Sequence, residues 1–307
     1  MELVFSSFVF GSYQKYIPYY IYSIWKTHPN GFVKIFIENK LESKIFKSLE
    51  YLNQMGVRNF EIVLWDSAHD DYGIYKIRGG GKKLTRWVLD YEYFNDFNYA
   101  YIGDIDILFL SEEMSILDFH KKQMIKLELP FSNKVRSDEN GKTVERLTGL
   151  HFFEIKKYFE KINPIISRIN KDKEYRDKYL QGLERDENFL YKINKEAFDF
   201  DSKILIAAER PWHGLHLGIT RGNKGLNMQT IQENSSLSIS EVKEQLKNYI
   251  SDPIFKEIQR KVFVIELETI LKELSLPYSF NWKYKGFKYR TRDKWRFLKR
   301  KIKSFLK

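Results

Sequence analysis

Two aspartates separated by one residue interrupt an otherwise apolar stretch of the chain. The stretch reads Tyr99-Ala-Tyr-Ile-Gly-Asp104-Ile-Asp106-Ile-Leu-Phe-Leu110, a pattern that predicts a buried strand. Because successive side chains of a strand point to opposite faces, we expect Asp104 and Asp106 to point the same way. Two neighbouring carboxylates repel unless a cation lies beside them, and Mg²⁺ and Mn²⁺ prefer such oxygen ligands. The pair therefore predicts a divalent metal site with positions open to phosphate oxygens and water. The alternative is a strand end whose acids cap a turn.

A second group of candidate ligands lies in Glu209-Arg-Pro-Trp-His213-Gly-Leu-His216-Leu-Gly218. It contains two of the six histidines of the chain, beside glycines that let backbone approach a ligand closely. A histidine here could supply the third metal ligand or donate to a phosphate, and imidazole together with carboxylates favours Mn²⁺ over Ca²⁺. Either histidine could meet the metal, and we favour His216 because it lies in a short apolar strand pattern; His213 could then donate to a phosphate. A structural role is the alternative for both.

The elements that must position these residues alternate between strands and helices. Strands are predicted at 3–10, 32–38, 60–66 and 99–110, and helices up to about residue 27, at 40–54 and at 82–94. Such alternation is typical of βαβ units and a mostly parallel sheet. The order is irregular after about residue 125, with strands predicted near 149–154, 203–208 and 214–219 and a helix near 186–197. From residue 238 the chain is predicted to be helical, beginning with a capping box of Ser238 and Glu241 and continuing with a helix that starts at Asp252-Pro253.

The positive charge of the chain is concentrated at its C-terminus. The formal charge is +11, from 52 Lys and Arg against 41 Asp and Glu. Residues 283–307 contain twelve basic residues and one acid, so they carry the whole excess. Within them an apolar stripe of side chains three or four residues apart consists of Trp295, Leu298, Ile302 and Phe305. This stripe, set among the basic residues, predicts a basic amphipathic helix on an anionic membrane surface. The alternatives are a solvated helix that packs its stripe on the body, and RNA binding, for which the body offers no recognisable module.

The composition and the N-terminal residues exclude or disfavour several classes of protein. Cysteine is absent, which excludes disulfides, thiolate metal sites and cysteine nucleophiles. The chain opens without the basic residues of a signal peptide, and residues 16–25 are too short to span a bilayer. We therefore expect a cytoplasmic protein, peripheral on the inner face of the cytoplasmic membrane. A Rossmann dehydrogenase would need G-x-G-x-x-G after the first strand, and a haloacid-dehalogenase-like phosphatase would need its Asp-x-Asp near the N-terminus.

In their order along the chain, these motifs resemble metal-dependent GT-A glycosyltransferases, especially bacterial sugar transferases similar to glycosyltransferase family 8. The resemblance covers roughly residues 1–225. Its features, in chain order, are Phe8-Val-Phe-Gly11-Ser12, a helix with Lys83 and Arg86, Asp104-Ile-Asp106, Thr148-Gly-Leu-His-Phe-Phe153, Arg185-Asp186-Glu187-Asn188 and the His-Gly-x-His segment. Two features depart from the family. Thr148 stands where the family usually has Asn, and Arg210-Pro-Trp212 precedes the histidines instead of following them.

The resemblance implies the fold and a division of the chain. The fold would be α/β of the GT-A type, a Rossmann-like nucleotide-diphospho-sugar transferase with a mixed, mostly parallel sheet flanked by helices and a helical C-terminal region. We predict a catalytic domain at 1–230, a helical region at 231–282 and a basic amphipathic tail at 283–307.

The resemblance also implies an activity. A sugar would pass from a nucleotide-sugar, most simply a UDP-hexose, to a saccharide acceptor. Together with the basic tail at 283–307, the resemblance implies that this acceptor is lipid-linked, in bacterial lipopolysaccharide or capsule synthesis. The metal, Mn²⁺ or Mg²⁺, would be held by Asp104, Asp106 and His216. The donor would contact Phe10, Gly11, Ser12, Lys83, Arg86, Asp104, Ile105, Asp106 and His213. No nucleic-acid partner is expected.

The acid pair Asp186 and Glu187 would act at the sugar. In an inverting enzyme one carboxylate deprotonates the acceptor hydroxyl, and in a retaining enzyme it stabilises an oxocarbenium-like transition state. The alternative for the acid pair is a helix N-cap, and for Lys83 and Arg86 a solvated helix face. The alternative for the whole chain is a membrane-peripheral binding protein in which Asp104 and Asp106 are structural.

Overall fold

The structure, a computed structural model, describes residues 1–65, 72–78, 80–137, 142–208, 213–223, 237–279 and 281–292. The strands in these ranges are β1 (Leu3–Val9), β2 (Phe32–Ile37), β3 (Phe60–Leu64), β4 (Tyr99–Ile102), β5 (Ile107–Phe109), β6 (Phe131–Ser132), β7 (Val135–Ser137), β8 (Thr143–Leu147), β9 (His151–Glu154) and β10 (Gly214–His216). Six of them form the central sheet, in the order β3-β2-β1-β4-β9-β6, while β5 pairs with β10 and β7 pairs with β8 in two small sheets.

The four strands at the centre and one edge of the large sheet run parallel, and β9 runs antiparallel to β4. The chain adds β2 and β3 on one side of β1 and then returns to place β4 on the other side. The direction of winding therefore reverses between β1 and β4. In open α/β sheets, ligands bind outside the carboxyl ends of the strands at such a reversal. The predicted mixed, mostly parallel α/β fold is confirmed.

Helices cover both faces of the sheet. They are α1 (Ile17–Thr27), α2 (Ser43–Gln54), α3 (Ile116–Leu127), α4 (Ile155–Lys171), α5 (Lys173–Leu180), α6 (Asp186–Phe198), α7 (Ser202–Ile206), α8 (Ile239–Ser251), α9 (Pro253–Lys261) and α10 (Ile265–Glu273). Residues 281–292 are also helical. Short 3-10 helices lie at Gly11–Tyr16, Tyr72–Ile74, Gly81–Trp87, Tyr91–Tyr93 and Leu217–Asn223. Nowhere in the described ranges does a helix combine the length and the apolar character that crossing a bilayer requires.

The C-terminal helices begin as their sequence signals predict. Ser238 and Glu241 form a reciprocal capping box at α8, and the Asp252 side chain accepts from Ile254 N at the start of α9. Apolar side chains of α8, α9 and α10 share one core with β1 and α1, so this region packs directly on the sheet domain. A second core lies on the other sheet face, against α4 and α6. The boundaries of the predicted domains stay a prediction.

Three details of the predicted secondary structure are wrong. The strand predicted near 203–208 is instead helix α7 at Ser202–Ile206, because Asp201 caps its first turn by accepting from Lys203 N. A short apolar run alone cannot distinguish a strand from a helix. Residues 99–110 are two strands in different sheets, interrupted by the acid pair. Residues 82–94 contain 3-10 helices at Gly81–Trp87 and Tyr91–Tyr93 rather than one α-helix. In the break between them, the carbonyl of Val88 accepts from Asn170 Nδ2.

Candidate active site

The acid pair lies at the reversal of the sheet, immediately after β4. Strand β4 ends at Ile102, and Gly103 N still donates to Ser6 O of β1, 3.1 Å away. A Cβ atom on Gly103 would lie 2.9 Å from Leu150 Cδ2, so this tight passage favours glycine. The chain then turns, and Asp104 and Asp106 lie in the turn before β5. Strand alternation, the reason given above for their common direction, therefore does not apply. Both carboxylates nevertheless face the same histidine.

Antiparallel pairing of β10 with β5 brings His216 to this turn. In the register of the two strands His216 lies opposite Ile107, and Leu217 N donates to Asp106 O at 2.8 Å. His216 Nε2 lies 3.3 Å from Asp106 Oδ1 and 3.8 Å from Asp104 Oδ2. One ligand atom from each of the three residues lies within 4.8 Å of the other two. Two segments more than a hundred residues apart thus supply one compact group of three donors.

This group fits a divalent cation. At metal–ligand distances of about 2.1 Å, neighbouring ligands of an octahedral ion lie roughly 3.0 Å apart and opposite ligands about 4.2 Å apart. The separations of the His216 nitrogen from the two carboxylates fall within those limits. Two carboxylates and one imidazole are ligands that Mn²⁺ accepts, and Mg²⁺ takes the carboxylates readily. The three residues could therefore hold either metal and leave coordination positions for other oxygens.

A glycine keeps space open beside this group. A Cβ atom on Gly218 would lie 2.7 Å from Asp106 Oδ2 and 2.7 Å from His216 Cε1. Real Cβ atoms do not approach other atoms so closely, so a side chain at this position would displace one of the two ligands. The sequence pattern identified Gly218 only as a residue beside the histidines.

Arg86 connects the metal-binding group to the start of helix α6. Its Nη1 donates to Asp104 Oδ1 and its Nη2 to Asp186 Oδ2, both at 2.7 Å. Trp87 Nε1 donates to the same oxygen of Asp186 at 3.1 Å. The side chains of Arg86 and Asp186 are only 7% and 3% exposed, so the alternative of a solvated helix face does not hold for Arg86.

The charges at the site keep Asp104 ionised and Arg86 protonated. Burial raises the pKa of Asp104, but the charges of Arg86, His216 and Lys83 outweigh it and lower the pKa to about 2. Burial lowers the pKa of the Arg86 guanidinium, and the carboxylates of Asp186 and Asp104 more than reverse this, so the pKa lies above its ordinary value. The residues brought together here include more carboxylates than cationic side chains, which suits a site for a divalent cation.

The second member of the predicted catalytic pair, Glu187, reaches the same place from the next position of α6. It is half-buried, whereas Asp186 is buried. Its position is marked by Gly149, in the turn between β8 and β9. A Cβ atom on Gly149 would lie 3.7 Å from Glu187 Oε1 and 3.7 Å from Asp104 Oδ2. It would lie 3.2 Å from Arg86 Nη2. The turn, Glu187 and the Arg86 guanidinium therefore lie next to one another.

The residues predicted to bind the nucleotide lie at the carboxyl end of β1. Phe10 is half-buried, its ring 6.1 Å from that of Tyr13, and Gly11 and Ser12 are exposed at the start of a 3-10 helix. Gly11 has a φ of +56°, a conformation that favours glycine. Lys83 is half-buried and near enough to Asp104 to lower its pKa. The Ile105 side chain, in contrast, is buried in the hydrophobic core, 3% exposed, which leaves only its backbone for a ligand.

His213 is not brought to the carboxylates. It is buried, and its Nε2 shares a hydrogen bond with His120 Nε2 at 2.9 Å. The ring of His213 also packs against Tyr101. This position does not present His213 to a ligand on Asp104. The predicted motif residues Arg210, Pro211 and Trp212 lie outside the described residues.

Other residues of the site were missed by the sequence analysis. Trp87 and Gly149 contact the predicted residues directly, and Asn133 supports them from a loop that the sequence marks by no motif. Trp87 follows Arg86 in the chain, which was a usable signal. Gly149 was within a quoted motif but was not named as a site residue.

Comparisons with known proteins give relatives only among solved structures. No protein-family model and no curated protein matches the chain. It is similar to the galactosyltransferase LgtC in complex with donor and acceptor sugar analogues, with 14% identity, a TM-score of 0.44, and coverage of 62% of this chain and 69% of that chain. It is also similar to mouse xyloside xylosyltransferase 1, with 9% identity, a TM-score of 0.42, and coverage of 78% and 94%. A third similar structure is the glycosyltransferase GlyE of Streptococcus pneumoniae TIGR4, with 10% identity, a TM-score of 0.40, and coverage of 64% and 44%.

The predicted resemblance to GT-A glycosyltransferases is thus confirmed as a resemblance, and Asp104 and Asp106 form a DxD-like group.

Proposed function

We propose that this protein is a metal-dependent glycosyltransferase that moves a sugar from a nucleotide-sugar, a UDP-hexose, to a saccharide acceptor. The observation that carries the proposal is the continuous series of contacts from Asp106 through His216 and Asp104 to Arg86 and Asp186. The series begins with a group of metal-binding donors and ends at an acid pair, beside the reversal point of a parallel sheet. A donor bound along it would have its diphosphate at one end and its sugar at the other.

The diphosphate end consists of Asp104, Asp106 and His216. When bound there, Mn²⁺ or Mg²⁺ supplies Lewis acidity that neutralises charge on the departing nucleoside diphosphate. Lys83 adds positive charge on the same side. The nucleoside would extend toward Phe10, Gly11 and Ser12, because these residues follow the strand adjacent to β4.

The sugar end consists of Arg86, Asp186 and Glu187. Arg86 is fixed by two carboxylates, so its guanidinium is preorganised rather than mobile. Asp186 has its oxygen occupied by Arg86 and Trp87, which gives it a positioning role. Glu187 is the more accessible acid, and it would act on the reacting groups.

In the reaction, the bond from the anomeric carbon to the diphosphate breaks and a bond from the anomeric carbon to the acceptor oxygen forms. The proton of the acceptor hydroxyl is transferred to a carboxylate or to the departing phosphate. With Glu187 as base the product is inverted; with Glu187 stabilising an oxocarbenium-like transition state it is retained. The anomeric configuration of the product distinguishes the two roles.

The test is release of UDP from individual UDP-hexoses in the presence of Mn²⁺, with and without saccharide acceptors. We expect turnover by the wild type, a loss of at least a hundredfold in Asp106→Asn, and a comparable loss in Glu187→Gln with UDP binding retained. The matched control is Asp118→Asn, an acid at the start of α3. Tight UDP binding with no turnover of any donor or acceptor would favour the non-catalytic binding protein instead.

We further propose that the acceptor is lipid-linked and that the protein acts at the inner face of a bacterial cytoplasmic membrane, in lipopolysaccharide or capsule synthesis. The support comes from the helix at 281–292. Trp282 is buried, with its Nε1 donating to Gln259 O, and fixes the helix to the body. Tyr284 and Phe287 are 58% and 65% exposed beside exposed Lys288. Exposed aromatic and cationic side chains on one helix suit an anionic lipid surface. The predicted stripe at 295–305 lies outside the described residues.

A further inference from the structure

A buried carboxamide holds the turn that brings Gly149 next to Arg86 and Glu187. Asn133, 5% exposed, lies between β6 and β7. Its Oδ1 accepts three hydrogen bonds: from Lys134 N at 2.6 Å, from Thr148 N at 3.0 Å and from Thr148 Oγ1 at 2.7 Å. Its Nδ2 donates to Thr148 O at 3.2 Å and to His151 Nδ1 at 3.0 Å. One side chain thereby binds both the backbone and the hydroxyl of Thr148.

The orientation of this carboxamide follows from its partners. Three donors converge on one atom of the amide, so that atom is the oxygen, and the other atom is the nitrogen. His151 Nδ1 must then accept, which places the hydrogen of the neutral imidazole on Nε2. Burial lowers the pKa of His151 to about 3, so the ring is neutral at ordinary pH. The network is uncharged, and both polar atoms of the Asn133 carboxamide have partners in it, while His151 Nε2 has none among the described residues. A buried carboxamide satisfied in this way fixes the geometry of the backbone that it binds.

The turn held in this way carries Gly149, which meets the sugar end of the site. Thr148 precedes Gly149 directly, and the Thr148 hydroxyl also reaches Leu150 O at 3.1 Å across the turn. Gly149 is the point that Arg86 Nη2 and Glu187 Oε1 both approach. A shift of the turn would therefore change the separation of Gly149 from both the guanidinium and Glu187.

We propose that Asn133 is a positioning residue of the transfer reaction: by binding Thr148 it sets the distance between Gly149 and the pair Arg86 and Glu187, and so the fit of the donor sugar. The inference rests on the proposed function for its substrate, but not for its geometry. Asn133 itself touches neither metal ligands nor Glu187 in any contact of the described residues. Its effect is therefore expected on turnover and sugar fit more than on diphosphate binding.

The first test compares Asn133→Ala with Asn194→Ala. Asn194 is equally buried, loses one hydrogen bond to Leu190 O on mutation, and lies two turns along α6 from the site. We expect Asn133→Ala to lower kcat with UDP-hexose at least tenfold while the Kd for UDP with Mn²⁺ changes less than threefold. Asn194→Ala should change kcat less than threefold. Equal kcat values in the two variants would overturn the proposal.

A second readout does not depend on activity. The indole N–H of Trp87 is bound to Asp186, which Arg86 also holds, so its nitrogen–proton NMR resonance reports the sugar end directly. Trp87→Phe assigns the resonance. We expect it to shift in Asn133→Ala and not in Asn194→Ala. If the wild type turns over no nucleotide-sugar, the proposed function fails, and the resonance still decides whether Asn133 positions this cluster.

A milder pair of variants covers the case in which Asn133→Ala does not fold. Thr148→Val removes the hydroxyl that donates a hydrogen bond to Asn133 Oδ1, and Thr148→Ser keeps that hydroxyl. We expect a threefold to tenfold loss of kcat and a shifted Trp87 resonance in the valine variant, with both restored in the serine variant. Identical behaviour of the two would contradict the proposed role.

Discussion

Removal of the Arg86 charge should destabilise the fold through Asp186. In Arg86→Met the carboxylate of Asp186 stays buried, 3% exposed, and within the described part of the chain its remaining side-chain donor is the Trp87 indole. A buried charge that loses its partner is costly because burial has removed its water and nothing replaces the lost interaction. Asp104 also loses Arg86, but its side chain is 38% exposed and water can compensate.

The expected cost is about 3 to 5 kcal/mol, the range measured when one partner of a buried ion pair is removed. At an unfolding entropy of about 2.1 cal/mol/K per residue, a chain of this length has roughly 0.65 kcal/mol/K. The loss therefore corresponds to a melting temperature lower by about 5 to 8 °C. The double variant Arg86→Met with Asp186→Asn removes both charges, and it should recover at least half of the loss.

The assay is denaturant unfolding of the wild type, the two single variants and the double variant. The control is Arg260→Met, which breaks the ion pair with Glu257 at a site where the Arg260 side chain is 70% exposed. An exposed pair of this kind contributes less than about 1 kcal/mol. The assigned role of the Arg86–Asp186 ion pair is wrong if Arg86→Met lowers the free energy of unfolding no more than Arg260→Met does. It is also wrong if the double variant is less stable than Arg86→Met alone.

Three further predictions concern other parts of the molecule. Burial lowers the pKa of three histidines in the folded protein, to about 4 for His28 and about 3 for His120 and His151. A histidine of the unfolded chain has a pKa of about 6.5, so below that pH the unfolded chain binds more protons than the folded one. Stability should therefore fall as the pH drops from 7 to 5, by about 2 kcal/mol per histidine; urea unfolding at several pH values measures this, and a flat profile would contradict it. Gly218→Ala should weaken Mn²⁺ binding, measured by calorimetry, at least tenfold, since the added Cβ would displace Asp106 or His216. An unchanged Mn²⁺ affinity would show that metal binding does not require a glycine at this position. Phe287→Ser should lower binding to vesicles containing phosphatidylglycerol at least fivefold, whereas Phe46→Ser, at a residue 52% exposed on α2, should not; equal effects would remove the basis for a membrane-facing helix.

Periodicity and order along the chain were sufficient to predict the sheet. The parallel strands, the C-terminal helices and their caps follow from local signals, since apolar alternation and capping residues act over a few positions. Helix α7 was predicted as a strand because its apolar run is too short to show a period. The N-cap at Asp201, which distinguishes a helix from a strand here, was not predicted.

The site was predictable where its residues are adjacent in sequence and unpredictable where they meet through tertiary contacts. Asp104 and Asp106 were found from their spacing, although the turn rather than a strand aligns them. The approach of His216 depends on pairing between β5 and β10, which no local signal reveals. The strand pattern favoured His216 over His213 for the metal, but only tertiary contacts show that His213 is buried against His120.

The supporting residues were hidden for a further reason. Asn133, like any isolated polar residue in a loop, has no pattern that marks it as buried. Its importance appears only once β6, β8 and β9 place Thr148 within reach of its amide.

The central claim is that Asp104, Asp106 and His216 hold a divalent cation that binds a nucleoside diphosphate. Calorimetric titration of UDP into the full chain tests it most directly, with Mn²⁺ present, with Mn²⁺ omitted, and with Mn²⁺ in the Asp106→Ala variant. We expect binding that requires both the metal and Asp106, with the variant still folded by circular dichroism. UDP binding of the same affinity in all three titrations would contradict it.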